Sequence, residues 1–189
     1  MSLDTIHALA ISGSVRVDSY NRKALAIAIS IASELGLKVT QLDLNTLDLP
    51  FFNEDLRKDG FPDSVKHLKA AITSADVLLV ATPEYNHSIP GILKNVIDWA
   101  SDKTNPFSGK TAAIFGASNG LNGTLRAQLH LRQILTALDV EMVAQPQVFI
   151  RLAQEAFLQD GSFADPRIYK QLHLLIEKTE ALVRRKKHK

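Results

Sequence analysis

The sequence predicts one doubly wound α/β domain, a five-stranded parallel sheet with helices on both faces. Three observations carry that expectation. Short apolar runs alternate with amphipathic stretches of helical period along the whole chain. Its 189 residues suffice for one sizeable core. No repeat and no low-complexity linker divides it, so residues 1–189 read as a single domain.

Residues 6–12 form a short apolar run broken by His7, suited to a buried parallel strand that ends at Gly13. A helix is expected from about 22 to 35, with its apolar face at Leu25, Ile27, Ala28, Ile31, Ala32 and Leu35 and a C-terminal cap at Gly36. Residues 38–44 alternate apolar and polar, as an edge strand does. The stretch 45–61 is irregular, and an excursion that long in a compact domain is usually functional or touches a partner. A helix over about 62–73 starts at proline, and an apolar strand over 76–82 leads into a helix over 90–101. Residues 111–117 read as another buried strand, followed by a Gly/Asn-rich loop at 118–123 and a helix over 124–138. A last strand over 141–150 is interrupted near Pro146, which only an edge or bulged strand tolerates. The final helix is expected over about 166–184. Right-handed crossovers then favour strand order 2-1-3-4-5, whose switch point lies between the first and third strands. That order sets the loop at 13–21 beside the loop at 83–86.

Composition excludes several functions. No apolar run approaches the roughly 20 residues of a membrane span. The N-terminus lacks a basic start and cleavage site, so no secretory signal is expected, and a cytoplasmic location fits a chain without cysteine. Redox chemistry in such a chain must come from a bound cofactor. The calculated pI of 8.8 hints at nucleic acid, but residues 184–189 hold 5 of the 22 basic residues. Without them 17 basic residues face 20 acidic ones, a net of −3. The tail reads as a solvated, frayed helix end, with a polyanion contact as its alternative.

The first loop offers Gly13 for close approach, Ser14 and Ser19 hydroxyls, the Asn21 amide, the Arg16 guanidinium and the N–H groups of a helix start. It is neither a Walker A loop nor the G-x-G-x-x-G fingerprint. It suits a single phosphate; alternatively Ser19 simply caps the helix and Arg16 is solvated. In the second loop Pro83, Glu84, Tyr85 and Asn86 supply a rigid turn, a ring and backbone donors of the kind a flat cofactor ring needs. Tyr85 as a surface residue and Asn86 as a turn former remain open. The third loop, with Ser118 and Gly120, could deliver amides to the far side or be a plain connection.

Gly13-Ser14-x-Arg16-x-x-Ser19-x-Asn21, Pro83-Glu84-Tyr85-Asn86 and the run Ile89-Pro90-Gly91…Leu93-Lys94-Asn95…Ile97-Asp98-Trp99 together resemble the NADPH-dependent FMN reductase family. The resemblance implies a flavodoxin-like fold, bound FMN, and NADPH or NADH as co-substrate. It implies that Ser14, Arg16, Ser19 and Asn21 hold the FMN phosphate, that residues 83–86 line the ring, and that Ser118 and Gly120 close its far side. It also implies a homodimer or dimer of dimers with the flavin near the interface. Arg126 falls at that interface by the resemblance, although Leu129 stands where some relatives have tyrosine; Trp99 is assigned to core or dimer contact.

No histidine spacing assembles a metal site, and no Gly-x-Ser-x-Gly elbow supplies a hydrolase nucleophile. No residue is assigned as a covalent or acid–base catalyst. The expected activity is NAD(P)H oxidation with electrons passed to a quinone-like or other small-molecule acceptor, by ping-pong kinetics, without nucleic-acid or membrane partners. A flavodoxin-like electron carrier and an FMN-binding sensor are the alternatives.

Overall fold

The computed structural model describes residues 5–188. Its elements in order are β1 (His7–Ser12), α1 (Tyr20–Glu34), β2 (Lys38–Leu42), a 3-10 turn (Glu54–Arg57), α2 (Asp63–Thr73), β3 (Val77–Ala81), α3 (Gly91–Ser101), β4 (Thr111–Ala117), α4 (Leu125–Ala137), β5 (Glu141–Met142), β6 (Val148–Ile150), α5 (Ala153–Ala156) and α6 (Pro166–Lys187). The sheet runs β2-β1-β3-β4-β5, every pairing parallel, which is the flavodoxin-like order.

The two-residue period of the strands divides the core. Ala8 and Ala10 of β1, Leu79 of β3 and Phe115 of β4 pack with α1 and α6. Leu9 and Ile11, Leu78 and Val80, and Ile114 point the other way, to α2, α3 and α4. Both faces are covered, so the inner strands β3 and β4 are buried throughout, whereas the edge strand β2 mixes exposed and buried positions.

Two differences from expectation have physical causes. The predicted last strand is two: β5 pairs with Thr111 and Ala112, β6 with residues from Phe115 to Ala117. Between them the edge chain loops out around Pro146, which has no N–H to give the ladder. The basic tail is not frayed through its described length. α6 runs on to Lys187, with Lys186 Nζ 2.9 Å from Glu141, Lys187 Nζ 3.0 Å from Asp76, and Arg184 paired with Glu180. Asp76 immediately precedes β3 and Glu141 opens β5, so these two fasten the helix across the sheet's amino end. Lys189 lies outside the described residues.

The irregular stretch 45–61 wraps over α3. The Pro50 carbonyl accepts from Asn95 Nδ2 (2.9 Å) and Trp99 Nε1 (2.7 Å), and the Phe52 amide donates to Asn95 Oδ1 (2.7 Å). Phe52 and Phe61 meet the Trp99 indole edge-on, at 5.0 and 6.5 Å between centroids. Trp99 is 0% exposed within one chain. Of the two readings, core or dimer contact, its burial fits the first: no surface of Trp99 is left for a partner to touch.

Candidate active site

Three loops meet at the carboxyl end of the sheet because β1, β3 and β4 are neighbours there. Gly13 joins the first two: its amide donates to the Ala81 carbonyl at 2.8 Å. A Cβ on Gly13 would stand 3.3 Å from both Pro83 Cδ and Leu93 Cδ2, so a larger residue would push the loops apart. Gly116, which the sequence does not single out, is under a stricter demand. A Cβ there would lie 2.5 Å from Thr124 Oγ1 and closer still to the Thr82 carbonyl oxygen.

The loops enclose a cleft of about 180 Å³, lined by Ser14, Arg16, Ser19, Asn21, Pro83, Glu84, Tyr85 and Ser118, together with Tyr20, Ala117 and Asn119. Eight of the eleven predicted cofactor-site residues come together here. Gly13, Asn86 and Gly120 are outside its lining.

One end of the cleft gathers hydrogen-bond donors. Ser19 Oγ accepts from the Asn21 and Arg22 amides at 3.2 and 3.4 Å, capping α1. Those bonds use its lone pairs and leave its hydroxyl proton to donate outward. Capping and ligand binding are thus compatible in one side chain. The amides of Val17, Asp18, Ser19 and Tyr20 have no acceptor among the described residues. Arg16 is exposed beside them, while Ser14 and Ser19 are buried. Unsatisfied amides at a helix N-terminus, with two hydroxyls and a guanidinium, are a donor set that could hold a phosphate.

Two predicted ligands have other duties. The Asn21 side chain donates to the Ala117 carbonyl (2.9 Å) and accepts from the Ala117 amide (2.8 Å), clamping α1 to the end of β4. These bonds occupy one of the two Nδ2 protons and the Oδ1, while the residue also lines the cleft. Glu84 caps α4: its Oε2 accepts from the Arg126 and Ala127 amides at 2.9 and 3.0 Å, and Oε1 lies 3.5 Å from Arg126 Nη1. A carboxylate at a helix N-terminus is stabilised by the backbone dipoles as well as the bonds. Glu84 therefore fixes the second loop to α4, and Arg126 is held at the same junction.

At the other end Pro83 is buried and Tyr85 is 49% exposed. Tyr85 and Ser88 exchange both backbone hydrogen bonds, closing a two-residue hairpin at Asn86 (φ 48°) and His87 (φ 65°). Two successive left-handed residues make the tight reverse turn that asparagine favours. Asn86 is there as a turn former. Across the cleft Ser118 Oγ donates to the Gly123 carbonyl (2.6 Å) and accepts from the Gly120 amide (3.3 Å), holding the third loop's shape. Tyr20, stacked on Phe157 at 5.8 Å, and Asn119 are lining residues that sequence reasoning missed. Their signal was adjacency to Ser19 and Ser118, which alone does not say where a side chain points.

A cleft with a phosphate cradle at one end and a rigid, ring-bearing hairpin at the other accords with a flavin mononucleotide. The sequence matches the model of the NADPH-dependent FMN reductase family over residues 6–155. The chain belongs to that family. Among relatives of this FMN reductase family member, an NAD(P)H-dependent FMN reductase of Pseudomonas aeruginosa is 45% identical over 183 residues, covering 96% of this chain and 97% of the relative. A 2-hydroxy-1,4-benzoquinone reductase of Burkholderia sp is 37% identical, over 91% and 93% of the two chains. The solved structure of FerB, a flavoenzyme NAD(P)H:(acceptor) oxidoreductase of Paracoccus denitrificans, superposes with a TM-score of 0.86 at 34% identity, covering 96% and 98%. The family member is accordingly an NAD(P)H-dependent oxidoreductase of the FMN and quinone reductase type.

Proposed function

We propose that this chain binds FMN in the cleft between the first three strand-end loops and uses NAD(P)H to reduce small acceptors of the quinone class, with azo compounds, free flavin and metal oxyanions as further substrates. The observation that carries this reading is the meeting of the Ser14–Arg16–Ser19 cradle and the Pro83–Tyr85 hairpin in one cleft.

When bound, FMN would supply the two-electron chemistry, taking reducing equivalents from NAD(P)H and passing them to the acceptor. Ser14, Ser19, Arg16 and the open amides at the start of α1 would hold the phosphate. Pro83 and Tyr85 would bear on the ring, and Asn119 with Ser118 on its far side. Asn21 and Glu84 set the distance between these walls, since one clamps α1 to β4 and the other clamps the hairpin to α4. Holding the loops in advance lowers the ordering cost of binding. With one accessible ring face, NAD(P)H and acceptor would occupy it in turn, giving ping-pong kinetics. No side chain of the cleft is needed as nucleophile or acid–base catalyst. The enzyme in this reading is cytoplasmic and a homodimer or dimer of dimers.

The test is NADPH and NADH oxidation by purified, FMN-loaded protein with menadione as acceptor. Turnover well above that of free FMN, with parallel double-reciprocal lines, is expected. Turnover no faster than free FMN overturns the reductase reading and leaves an electron carrier or sensor.

A further inference from the structure

We infer that Arg151, at the head of the segment that follows β6, holds a phosphate of the NAD(P)H co-substrate and governs how tightly the dinucleotide binds. The inference rests on the proposed flavin cleft, since it concerns the part of the dinucleotide that lies beyond that cleft. About 180 Å³ is too little space for a flavin and a whole dinucleotide together. The phosphates outside it need a cation of their own.

Most guanidiniums at this rim already have work. Arg16 belongs to the donor set at the start of α1, while Arg22, Arg126 and Arg167 face Asp43, Glu84 and Asp165. Arg151 is exposed and makes no ion pair or side-chain hydrogen bond among the described residues. Even Glu155, four positions on, does not pair with it. Backbone register carries Arg151 to the cleft. Ile150 pairs with Ala117, the residue before cleft-lining Ser118. The Ser118 amide donates to the Ile150 carbonyl (3.0 Å), and the Ser118 carbonyl accepts from the Ala153 amide (3.1 Å). Arg151 and Leu152 are strapped between those two bonds, so their backbone runs about 5 Å from that of Ser118. A long side chain crosses such a gap easily. Val148 and Ile150 turn into the core beside α1, so alternation puts Phe149 and Arg151 on the other side. Phe149 lies there against Gly123, where an added Cβ would stand 3.1 Å from its own.

The mount is stiff. The Gln154 amide donates to Asn119 Oδ1 (3.1 Å), and Phe157 stacks on Tyr20 at 5.8 Å. Residues 151–164 thus form a fourth wall that touches cleft-lining residues at both ends. A charge positioned in advance loses less freedom on binding. In the third loop the amides of Asn119, Leu121 and Asn122 have no acceptor among the described residues. A guanidinium with open loop amides is the donor set that phosphate recognition uses.

Steady-state kinetics of the FMN-loaded protein with menadione test the contact. Arg151→Ala should raise the KM for NADPH about tenfold, with kcat, flavin absorbance and thermal midpoint unchanged. Arg151→Lys should recover part of that loss, because the charge stays and the planar fork goes. Arg185→Ala, an exposed guanidinium at the opposite rim, should leave KM as it is. A rise confined to NADPH identifies the 2′-phosphate as the bound group; equal rises with NADPH and NADH identify the diphosphate. Unchanged KM values, or a loss of kcat or flavin without a change in KM, would overturn the inference. Calorimetry with 2′,5′-ADP and with 5′-ADP keeps the two claims apart. A protein without turnover that binds either probe, and loses it on Arg151→Ala, removes the reductase reading and upholds the phosphate contact.

Discussion

At the carboxyl ends of the strands α1 and α4 begin; the start of α1 borders the cleft, and the first amides of α4 are taken by Glu84, one of the lining residues. At the amino ends α2 and α3 finish, and their last carbonyls are gathered by lysines. Lys69 Nζ donates to the Ala100 and Asp102 carbonyls, both at 2.7 Å, and Lys110 Nζ to those of Thr73 (3.2 Å) and Ala75. Burial pushes both amines below the usual lysine value. The same backbone dipole, entered from opposite ends, explains the contrast. One rim satisfies its partial charges with its own side chains. The other caps two amides of α1 with Ser19, two of α4 with Glu84, and leaves the amides from Val17 to Tyr20 open. Parallel strands with helical crossovers place every helix start at one rim, so open donors there follow from topology and the bracing at the opposite rim from its mirror image.

The contrast can be broken or sharpened by substitution. The largest expected effect is at Gly116, where β4 passes the Thr82 carbonyl too closely for any side chain. Gly116→Ala should cost about 3 kcal/mol or prevent folding, read as the urea midpoint; a neutral result would mean that the strands separate freely. Next comes the open rim. Arg16→Ala should weaken FMN retention about ten- to hundredfold with the unfolding midpoint of the apoprotein unchanged, measured by fluorescence titration. If His87→Ala weakened it equally, the phosphate assignment would fail. At the braced rim the pattern should invert. Lys110→Met should cost about 1–2 kcal/mol of stability, seen in denaturant unfolding, with FMN affinity intact. The smallest effect is a gain: His87→Gly relieves a left-handed residue worth about 1 kcal/mol and should raise the melting temperature by about 2–4 °C without altering flavin binding.

Much of this could be read before the structure, and the misses share a cause. Strand order and the meeting of the first two loops follow from alternating periodicity and a handedness rule, both local or nearly so. Residues 111–117 and 63–73 needed nothing more. The cap role of Ser19 was one of two readings left open, and its geometry accommodates both. The bracing duties of Asn21 and Glu84 were missed because they depend on backbone groups 96 and 42 positions away. Asn86 was legible as a turn former, yet only the hairpin with His87 takes it out of the cleft wall. The tail looked frayed because residues 184–189 hold no acid of their own; Glu180 lies one turn back, but Asp76 and Glu141, which hold Lys187 and Lys186, lie far back in the chain.

The residue pattern by itself determined the class of fold, the neighbouring of the loops and the chemistry they carry, because period, chirality and composition act over short spans. The folded chain decided which polar side chains face a ligand and which are spent on the protein's own backbone. A buried hydrogen-bonding group must find a partner, and which partner lies within 3 Å is settled only when distant segments pack.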